Sequence, residues 1–356
     1  MPGPDSTLPD LDVVAIGSPL VDVLAAAGDD EIASAGLVRG SMELVDLAWA
    51  ERIHAAMGPT TEVSGGSAAN TVAGVAALGG SAGFVGKIAD DELGHVFTHD
   101  IRACGVEFHP VITDGPDHGG QRGLPTAGPV DAEAVGTGRC LVLVSGDAER
   151  TMATHLGVAT TIRPDDVPEA LVARGSIAYL EGYLWDLPPA KEAMRRTIDV
   201  AHRNDGSVAL SLSDPFCVER HQREFLDLLR DDVDVLFGNE EEMVRLFGAR
   251  SLDGALSAAE ETGLLVTVTL GARGSVVLTP RGPLEVPASS VDRIVDTTGA
   301  GDLFAAGFLY GLTHGAGPED CARLGALCAG EVIGHLGARP EQDLRELAGA
   351  DGLLER

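Results

Sequence analysis

The chain has 356 residues, of which 44% are hydrophobic and only 4% are aromatic. That length is sufficient for one large α/β domain with a small appendage, or for two domains, with a core of mainly aliphatic side chains. The formal net charge of −30 excludes nucleic acid and anionic membrane surfaces as partners, and it requires that any phosphate site be locally electropositive.

The cysteines and the N-terminal segment indicate a cytoplasmic protein. Five scattered cysteines without a Cys-x-x-Cys pair are typical of reduced thiols. Residues 1–12 lack a basic region followed by an apolar stretch, so no signal peptide is predicted. No run of about 18 apolar residues predicts a membrane span.

The first half of the chain predicts short strands interrupted by turns, and the second half alternates strands with helices. Strands are predicted over 11–16, 21–27, 42–45, 82–85, 140–144, 177–180, 208–211, 233–237, 265–269 and 275–278. Helices are predicted over 71–78, 93–103, 189–204, 222–230, 240–247, 252–262, 300–313 and 318–333. Residues 113–138 are rich in Gly, Pro and acidic residues and are predicted to form a long loop. The alternation predicts a parallel sheet with helices on both faces, covered by a small β appendage from the early strands.

A compact polar motif, Asp-Thr-Thr-Gly-Ala-Gly-Asp, spans 296–302 and opens the helix predicted over 300–313. Its glycines let free backbone N–H groups converge at a helix N-terminus, which favours anions. Such donors stabilise a transferring phosphoryl group, and the Asp302 carboxylate can accept a proton from an attacking hydroxyl. The structural alternative is a Thr-capped helix with an acidic first turn.

A second polar motif, Gly-Gly-Ser-Ala-Ala-Asn, spans 65–70 and precedes the helix predicted over 71–78. A Gly-Gly turn lets a ligand approach the backbone, and Asn70 offers a donor and an acceptor to vicinal hydroxyls. Asp22 follows the first strand, where a ligand binds in α/β sheets, and its carboxylate suits two sugar hydroxyls. The structural alternative is a tight strand-to-helix turn in which Asn70 is a local cap.

Both motifs resemble signatures of the PfkB-type, or ribokinase-like, kinases. The segment 296–302, followed by Phe-Ala-Ala-Gly-Phe, looks like the C-terminal signature, and Gly-Gly-x-x-x-Asn at 65–70 looks like the N-terminal one. The resemblance implies that Asp302 is the catalytic base. It implies an anion hole at 299–302, formed by Gly299, Ala300 and Gly301. The substrate hydroxyls are then bound by Asp22, Gly65, Gly66, Ser67 and Asn70.

The same resemblance extends to the nucleotide side and implies ATP as co-substrate. The segment 239–242 matches the family's Asn-x-x-Glu pattern, so Glu242, supported by Asn239, is implied to organise water-bound Mg²⁺. The segment 269–274 resembles the family's ATP-side loop, with Thr269, Gly271 and Gly274 as candidates, although an ordinary β-turn is the alternative.

Two more residues are implied near the transferring phosphate. Arg150 looks like the lid-side arginine that reaches this phosphate in adenosine kinases. In many family members a monovalent cation binds beside the anion hole. Asp296 is the matching residue here, so K⁺ is a further expected cofactor.

Adenosine is the expected substrate, because Gly-x-Pro-Leu-x-Asp at 17–22 and Val-Asp-x-Leu-Phe-Gly-Asn-Glu at 233–240 look more like adenosine kinases than like ribokinases or fructokinases. A purine needs an aromatic or apolar slot, which Tyr183 and Trp185 could line after a predicted strand. Two buried core aromatics are the structural alternative. The Phe of adenosine kinases corresponds to Leu184 here.

These expectations describe one domain over 1–356, a three-layer α/β/α sandwich with a mostly parallel sheet and a small β-sheet lid formed by roughly 18–64 and 105–150. The first hypothesis is ATP-dependent phosphotransfer to the 5′-hydroxyl of a ribonucleoside. The alternatives are a sugar kinase of the same superfamily, acting on ribose, fructose or a keto-deoxy sugar acid, and a non-catalytic nucleoside-binding protein. A sugar acid would require an additional Arg or Lys near Asp22 and Asn70, and none lies nearby in sequence. The expected assembly is a monomer or a homodimer.

Overall fold

The computed structural model describes residues 10–113, 136–146 and 149–354. In chain order, the strands of this part are β1 (Leu11–Ile16), β2 (Leu20–Ala26), β3 (Met42–Leu44), β4 (Thr61–Gly65), β5 (Ala82–Val85), β6 (Lys87–Ala89), β7 (Glu107–Phe108), β8 (Val111–Thr113), β9 (Gly138–Val144), β10 (Arg150–His155), β11 (Gly175–Glu181), β12 (Ser207–Ser211), β13 (Val235–Asn239), β14 (Leu265–Thr269), β15 (Ser275–Thr279) and β16 (Gly282–Val286). The α-helices are α1 (Asp29–Ser34), α2 (Leu47–Ala56), α3 (Ser67–Ala77), α4 (Glu92–Ala103), α5 (Glu169–Val172), α6 (Pro188–Arg203), α7 (Pro215–Asp231), α8 (Glu240–Leu246), α9 (Leu252–Glu260), α10 (Ala300–Thr313), α11 (Pro318–Val332) and α12 (Leu344–Ala350). None of these helices is both long and apolar enough to cross a membrane.

A nine-stranded sheet forms the centre of the molecule, in the order β16-β15-β14-β13-β12-β11-β1-β5-β7. Seven neighbouring strands of this sheet are parallel: β14, β13, β12, β11, β1, β5 and β7. Strands β15 and β16 are added antiparallel beside β14. The predicted mostly parallel sheet is therefore confirmed. Because β1 lies between β11 and β5, its carboxyl end is an interior position of the sheet.

Helices cover both faces of this sheet, because successive side chains of β1 pack into two different cores. Val13 and Ala15 belong to one core, with residues of α3, α10 and α11, whereas Val14 and Ile16 belong to a second core, with residues of α6, α7 and α8. All four side chains are fully buried, because successive residues of a strand point to opposite faces and each face is covered. The predicted three-layer α/β/α architecture is confirmed.

A separate five-stranded sheet, in the order β3-β10-β9-β2-β4, stands beside the large one and is called the small sheet below. The segments predicted for the lid supply β2, β3, β4 and β9, and β10 extends the sheet to His155. Two other strands of those segments lie elsewhere, since β7 pairs with β5 in the large sheet and β8 pairs with β6. Most of the loop predicted over 113–138, residues 114–135, lies outside the described residues. That the small sheet works as a lid stays a prediction.

Candidate active site

A cleft of about 540 Å³ lies between the small sheet and the carboxyl ends of the parallel strands. Ser18 follows β1, Tyr183 follows β11, Ser213 follows β12, and Asn239 ends β13, and all four line the cleft. In open α/β sheets, ligands bind outside the carboxyl ends of the strands. The volume is in the range of small-molecule sites, so the cleft is the candidate active site.

Asp302 lies on the wall of this cleft and is in direct contact with the early motif. The Ser67 hydroxyl donates to Oδ1 of Asp302 at 2.6 Å, and the Asn70 amide nitrogen donates to Oδ2 at 2.9 Å. Ser67 opens α3, and Asp302 lies in the first turn of α10. The two helix N-termini therefore bring the motifs at 65–70 and 296–302 into one site.

The environment of Asp302 makes its carboxyl group a stronger base than an exposed aspartate. Burial raises its pKa above the ordinary value, and this effect outweighs the hydrogen bonds from Ser67 and Asn70 and the charge of Arg339, which lower it. A carboxylate with a raised pKa accepts a proton more readily from a neutral hydroxyl.

The loop before α10 has the backbone geometry that an anion hole needs. Gly299 has a φ of 77°, and a Cβ atom there would lie 2.6 Å from the Cβ of Ala338, so only glycine fits without strain. Gly301 lines the cleft, and a Cβ there would meet no protein atom within 4 Å. The predicted part of Ala300 in the anion hole is not found, because its N–H donates to the Thr297 carbonyl at 3.3 Å and the residue does not line the cleft. In the first turn of α10, Gly301 and Asp302 line the cleft, and N–H groups at a helix N-terminus favour an anion.

Asp22 lies on β2 with its side chain in the cleft. Burial raises the pKa of Asp22 to about 6, against the lowering effects of Arg339 and Arg150. Gly65 lies directly against it, since a Cβ at Gly65 would be 2.6 Å from Oδ2 of Asp22, and Gly66 has a φ of 97° and approaches the Ser18 carbonyl. Gly66 lines the cleft, whereas Gly65 makes room for the Asp22 carboxylate.

Two charged residues in this region were missed by the sequence analysis. Glu181, which is 1% exposed, accepts hydrogen bonds from the backbone N–H groups of Ser18 at 3.3 Å and Ala68 at 2.9 Å. It thereby joins the loop after β1 to the start of α3. Burial raises the pKa of Glu181 to about 7. A signal existed, because Glu181 directly follows the strand predicted over 177–180, and ligands bind outside the carboxyl ends of strands in α/β sheets.

Arg339 is the second missed residue; it comes from the segment after α11 and lies behind the cleft without lining it. Its Nε donates to the Ser64 carbonyl at 3.2 Å, and its Nη1 donates to the Ala69 carbonyl at 2.7 Å. Its charge lowers the pKa values of both Asp22 and Asp302. No motif surrounds Arg339, so the sequence carried no signal for it.

Asn239 and Glu242 cap α8 reciprocally and line the cleft. The Glu242 N–H donates to Oδ1 of Asn239 at 2.9 Å, while the two Glu242 carboxylate oxygens accept from the Asn239 backbone and amide nitrogens at 2.9 and 2.8 Å. Burial raises the pKa of Glu242 to about 7. Because both oxygens already accept hydrogen bonds, this pair fits a Mg²⁺ ion contacted through its waters.

Of the three candidate residues in the segment 269–274, one lines the cleft and two lie in the turn between β14 and β15. Thr269 ends β14 and lines the cleft. Gly271 and Gly274, with φ values of 60° and 91°, do not line it and form the turn between β14 and β15. A Cβ at Gly274 would lie 2.0 Å from the Val286 carbonyl oxygen, so this glycine is required for packing against β16.

The structure separates the two aromatic candidates. Tyr183 lines the cleft, and its hydroxyl donates to the Ser213 carbonyl at 3.2 Å. Trp185 is fully buried, donates from Nε1 to Glu224 at 3.0 Å and packs against Phe225. The predicted role of Trp185 in a base slot is therefore wrong, because its ring is drawn into the core beneath α6 and α7.

Apolar side chains of the small sheet, of the residue directly after β10 and of α7 form a wall of the cleft that the sequence did not predict. This apolar wall consists of Leu20, Met42, Leu44, Met152, Leu156 and Phe216. Met42, Leu44 and Phe216 are 40%, 56% and 65% exposed, which is unusual for large apolar side chains. The cleft thus has a polar part around Asp22 and Asp302, and the apolar wall is interspersed with polar residues such as Thr154, Asp214 and Arg220.

Arg150 and Asp296 form a buried ion pair beside the cleft. Arg150 does not line the cleft itself, and its Nη1 donates to the Thr298 hydroxyl at 3.1 Å. The predicted reach of Arg150 to the transferring phosphate is therefore not the arrangement found here. The guanidinium is held by the loop that precedes α10.

Asp296 does not fit the predicted K⁺ site. Its Oδ1 accepts from the Thr298 N–H at 3.0 Å, its Oδ2 accepts from the Gly337 N–H at 2.9 Å, and Arg150 supplies the neutralising charge. Among residues 10–113, 136–146 and 149–354, no group of three or more His, Cys, Asp or Glu side chains is arranged to hold a metal ion. Each oxygen of the Asp296 carboxylate thus already accepts a backbone hydrogen bond, and the charge is paired with the Arg150 guanidinium.

Known proteins resemble this chain over nearly its whole length. The family model described as pfkB family carbohydrate kinase matches residues 31–120 and 117–344. A probable sugar kinase from Rhizobium etli CFN 42 superposes with a TM-score of 0.87 at 40% identity, covering 98% of this chain and 100% of the other. The adenosine kinase from Sinorhizobium meliloti superposes with a TM-score of 0.86 at 43% identity, covering 96% and 99%. A 5-dehydro-2-deoxygluconokinase from Geobacillus kaustophilus is 28% identical over 80% of this chain and 84% of its own length. The chain belongs to the pfkB family of carbohydrate kinases.

Proposed function

We propose that this kinase transfers the γ-phosphoryl group of ATP to the 5′-hydroxyl of a ribonucleoside, and that adenosine is its acceptor. The observation that carries the proposal is the contact of Ser67 and Asn70 with Asp302, which places a base beside the residues expected to hold a ribose. The 43% identity to an adenosine kinase supports the same acceptor.

The polar part of the cleft supplies the groups that the reaction needs. Asp22 and Asn70 bind the ribose hydroxyls, and Asp302 removes the proton as the 5′-oxygen forms its bond to the γ-phosphorus. The bond between that phosphorus and the β–γ bridging oxygen breaks, and ADP leaves. The N–H groups at 299–302 stabilise the charge on the transferring group.

ATP is expected to lie towards the ends of β13 and β14, near Asn239 and Thr269. Magnesium, when bound to the ATP phosphates, supplies neutralising charge, and Glu242 with Asn239 would hold it through water. The turn carrying Gly271 and Gly274 borders this side of the site.

The combination of polar residues with an apolar wall in the cleft favours a nucleoside over a free sugar. A nucleoside has hydroxyls at one end and a flat, largely apolar base at the other, which matches the polar part and the apolar wall. A free pentose or hexose carries hydroxyls all around its ring and would leave Met42, Leu44 and Phe216 in contact with water. Burial of apolar surface by the base adds binding free energy that such a sugar cannot supply.

A second candidate is a kinase for a keto-deoxy sugar acid. The relative named 5-dehydro-2-deoxygluconokinase supports it, and so does Arg339, the cationic residue near Asp22 that such a substrate would require. Against it, Arg339 already donates to Ser64 and Ala69. Its charge is also shared between Asp22 and Asp302, so little is available for a substrate carboxylate.

A substrate panel tests these candidates. The purified chain is incubated with Mg·ATP and each of adenosine, guanosine, ribose, fructose and 5-dehydro-2-deoxygluconate, and ADP release is measured. We expect the highest kcat/KM for adenosine, and no release above background from the Asp302→Asn variant. Turnover of a sugar or a sugar acid without turnover of nucleosides would overturn the proposal. Adenosine binding measured by calorimetry without ADP release would instead support the non-catalytic alternative.

A further inference from the structure

We propose that Arg150 is the internal cation of the anion-hole loop, so that phosphotransfer by this chain needs no separate monovalent cation. The inference rests on the proposed phosphotransfer and deepens it. It makes Arg150 a positioning residue, which acts on the transferring phosphate through residues 296–299 instead of contacting it.

The Asp296 carboxylate is buried and already has partners within the protein. Its side chain is 2% exposed, and that of Arg150 is 7% exposed, so both charges are withdrawn from water. A buried carboxylate must be compensated by a cation and by hydrogen bonds. Arg150 supplies the charge, and the backbone N–H groups of Thr298 and Gly337 supply the hydrogen bonds. Asp296 has no remaining need for a metal ion.

Electrostatic repulsion is the second argument. A K⁺ ion bound to Asp296 would lie within a few ångströms of the Arg150 guanidinium, in a region screened little by solvent. Two cations in contact with one carboxylate repel each other, and the guanidinium is covalently attached while the ion is exchangeable. The free ion is therefore excluded as long as Arg150 stays paired.

The position of Arg150 explains what the pair does for catalysis. Arg150 begins β10 in the small sheet, and it also holds the hydroxyl of Thr298, the residue immediately before Gly299. Asp296 in turn accepts from the Thr298 N–H. Gly299, with its left-handed φ of 77°, is thus preceded by a residue fixed on both its side chain and its backbone. Removing Arg150 would loosen the loop that aims the first N–H groups of α10.

The test compares cations and variants. ADP release from the best acceptor of the substrate panel is measured in KCl, NaCl and tetramethylammonium chloride at one ionic strength. We expect the wild type to be equally active in all three. Arg150→Met, which keeps the stem and loses the charge, should lower kcat by about ten-fold or more while the acceptor's dissociation constant stays unchanged, because the loss is in transition-state stabilisation. Potassium should restore part of its activity, since Asp296 is left without a cation.

A binding measurement separates this inference from the proposed function. The thermal unfolding midpoint of the wild type should be the same in KCl and in tetramethylammonium chloride, whereas that of Arg150→Met should be higher in KCl. Arg52→Met, on the exposed side of α2, is the control and should behave like the wild type. If Arg150→Met does not fold, Arg150→Gln replaces it, because it also removes the charge and keeps an N–H donor for Thr298.

The outcomes are distinct. Strong activation of the wild type by K⁺ over tetramethylammonium, or a K⁺-specific rise in its unfolding midpoint, would overturn the inference. Should none of the acceptors be phosphorylated, the proposed function fails, and the unfolding measurements still decide whether Asp296 takes a monovalent cation.

Discussion

Asn70 and Asp302 are separated by 232 positions in the sequence, yet the Asn70 amide donates to the Asp302 carboxylate at 2.9 Å. Close packing of α3 on α10 makes this contact possible. A Cβ at Gly74 of α3 would lie 2.6 Å from the Cβ of Ala306 in α10, so the helices approach nearer than larger residues would allow. The motif at 65–70 and the candidate base are therefore joined by closely packed helices.

Replacing the base tests the chemistry of that unit. Asp302→Asn keeps the size of the side chain and removes its ability to take a proton, so kcat should fall by about 10²–10⁴. Adenosine binding, measured by calorimetry, should persist, because Asp22 and Asn70 are intact. Asp253→Asn, an exposed acid in the first turn of α9, is the matched control and should leave kcat unchanged. A kcat for Asp302→Asn equal to that of the control would rule out general-base catalysis by Asp302.

The pH dependence of kcat/KM should reveal the raised pKa values in the cleft. The active form has Asp302 and Asp22 unprotonated, so activity should fall as the pH drops through their raised pKa values, with that of Asp22 at about 6. The Ser67 hydrogen bond lowers the pKa of Asp302, so Ser67→Ala should move the acid limb to higher pH. A limb that moves to lower pH in Ser67→Ala would contradict this assignment.

Alanine substitutions of Gly299 and Gly301 should lower activity for different reasons. Gly299→Ala places a Cβ 2.6 Å from the Cβ of Ala338 at a φ of 77°, so it should lower the unfolding midpoint together with activity. Gly301→Ala meets no protein atom within 4 Å but projects into the cleft, so it should keep the midpoint and lose kcat/KM. Thermal scanning and ADP release on both variants check this. Full activity of Gly301→Ala would mean that no phosphate lies against that N–H.

Short motifs made the polar part of the site predictable, because each joins a backbone requirement to a side-chain function within seven residues. The pairing of 65–70 with 296–302 followed from the resemblance alone. Seven of the nine strands of the large sheet were predicted, since continuous apolar runs between helices leave few alternatives, whereas β7 and β16 at its two edges were missed. The helix α12 was missed because its seven residues bury only Leu344 and Ala348, too few to show a period.

What the sequence could not predict depends on distant contacts. Arg339 lies behind the cleft because the segment after α11 folds back onto α3, and nothing local to residue 339 records this. Trp185 was wrongly assigned to the cleft because it lies only two positions after Tyr183, a cleft residue, in the turn that follows β11, and yet its own side chain is in the core. The apolar wall was missed because its strands also carry the alternating pattern of an ordinary sheet, in which outward positions face solvent.

The apolar wall should contribute to nucleoside affinity. Leu44→Ser removes an apolar contact that a bound base would cover, and loss of about 1 kcal/mol should raise the KM for adenosine about five-fold. Val38→Ser, at a 67% exposed position outside the cleft, is the control and should leave the KM unchanged. Equal KM values in the two variants would show that the base does not contact the small sheet, and would favour the sugar-acid candidate.

Glu181 should make the stability of the fold depend on pH. Its pKa rises from the ordinary value of 4.5 to about 7 on folding, so the folded state binds a proton more tightly than the unfolded chain. The stability that this proton provides is fully present below the unfolded pKa and is lost as the pH rises through about 7. Glu242, with a pKa of about 7, contributes in the same direction. The free energy of unfolding from urea titrations should therefore be lower at pH 8 than at pH 5.

The variant Glu181→Gln measures how much Glu181 contributes to this pH dependence of the free energy of unfolding. Glutamine remains neutral and can still accept from one of the N–H groups of Ser18 and Ala68, so the difference between pH 5 and pH 8 should shrink by a few kcal/mol. Glu62→Gln, an exposed glutamate on β4, is the control and should show the full difference. If Glu181→Gln retained that full difference, the carboxyl group at 181 would be ionised in the folded protein throughout this range. The loop after β1 and the start of α3 would then be held by a buried charge instead of a protonated acid.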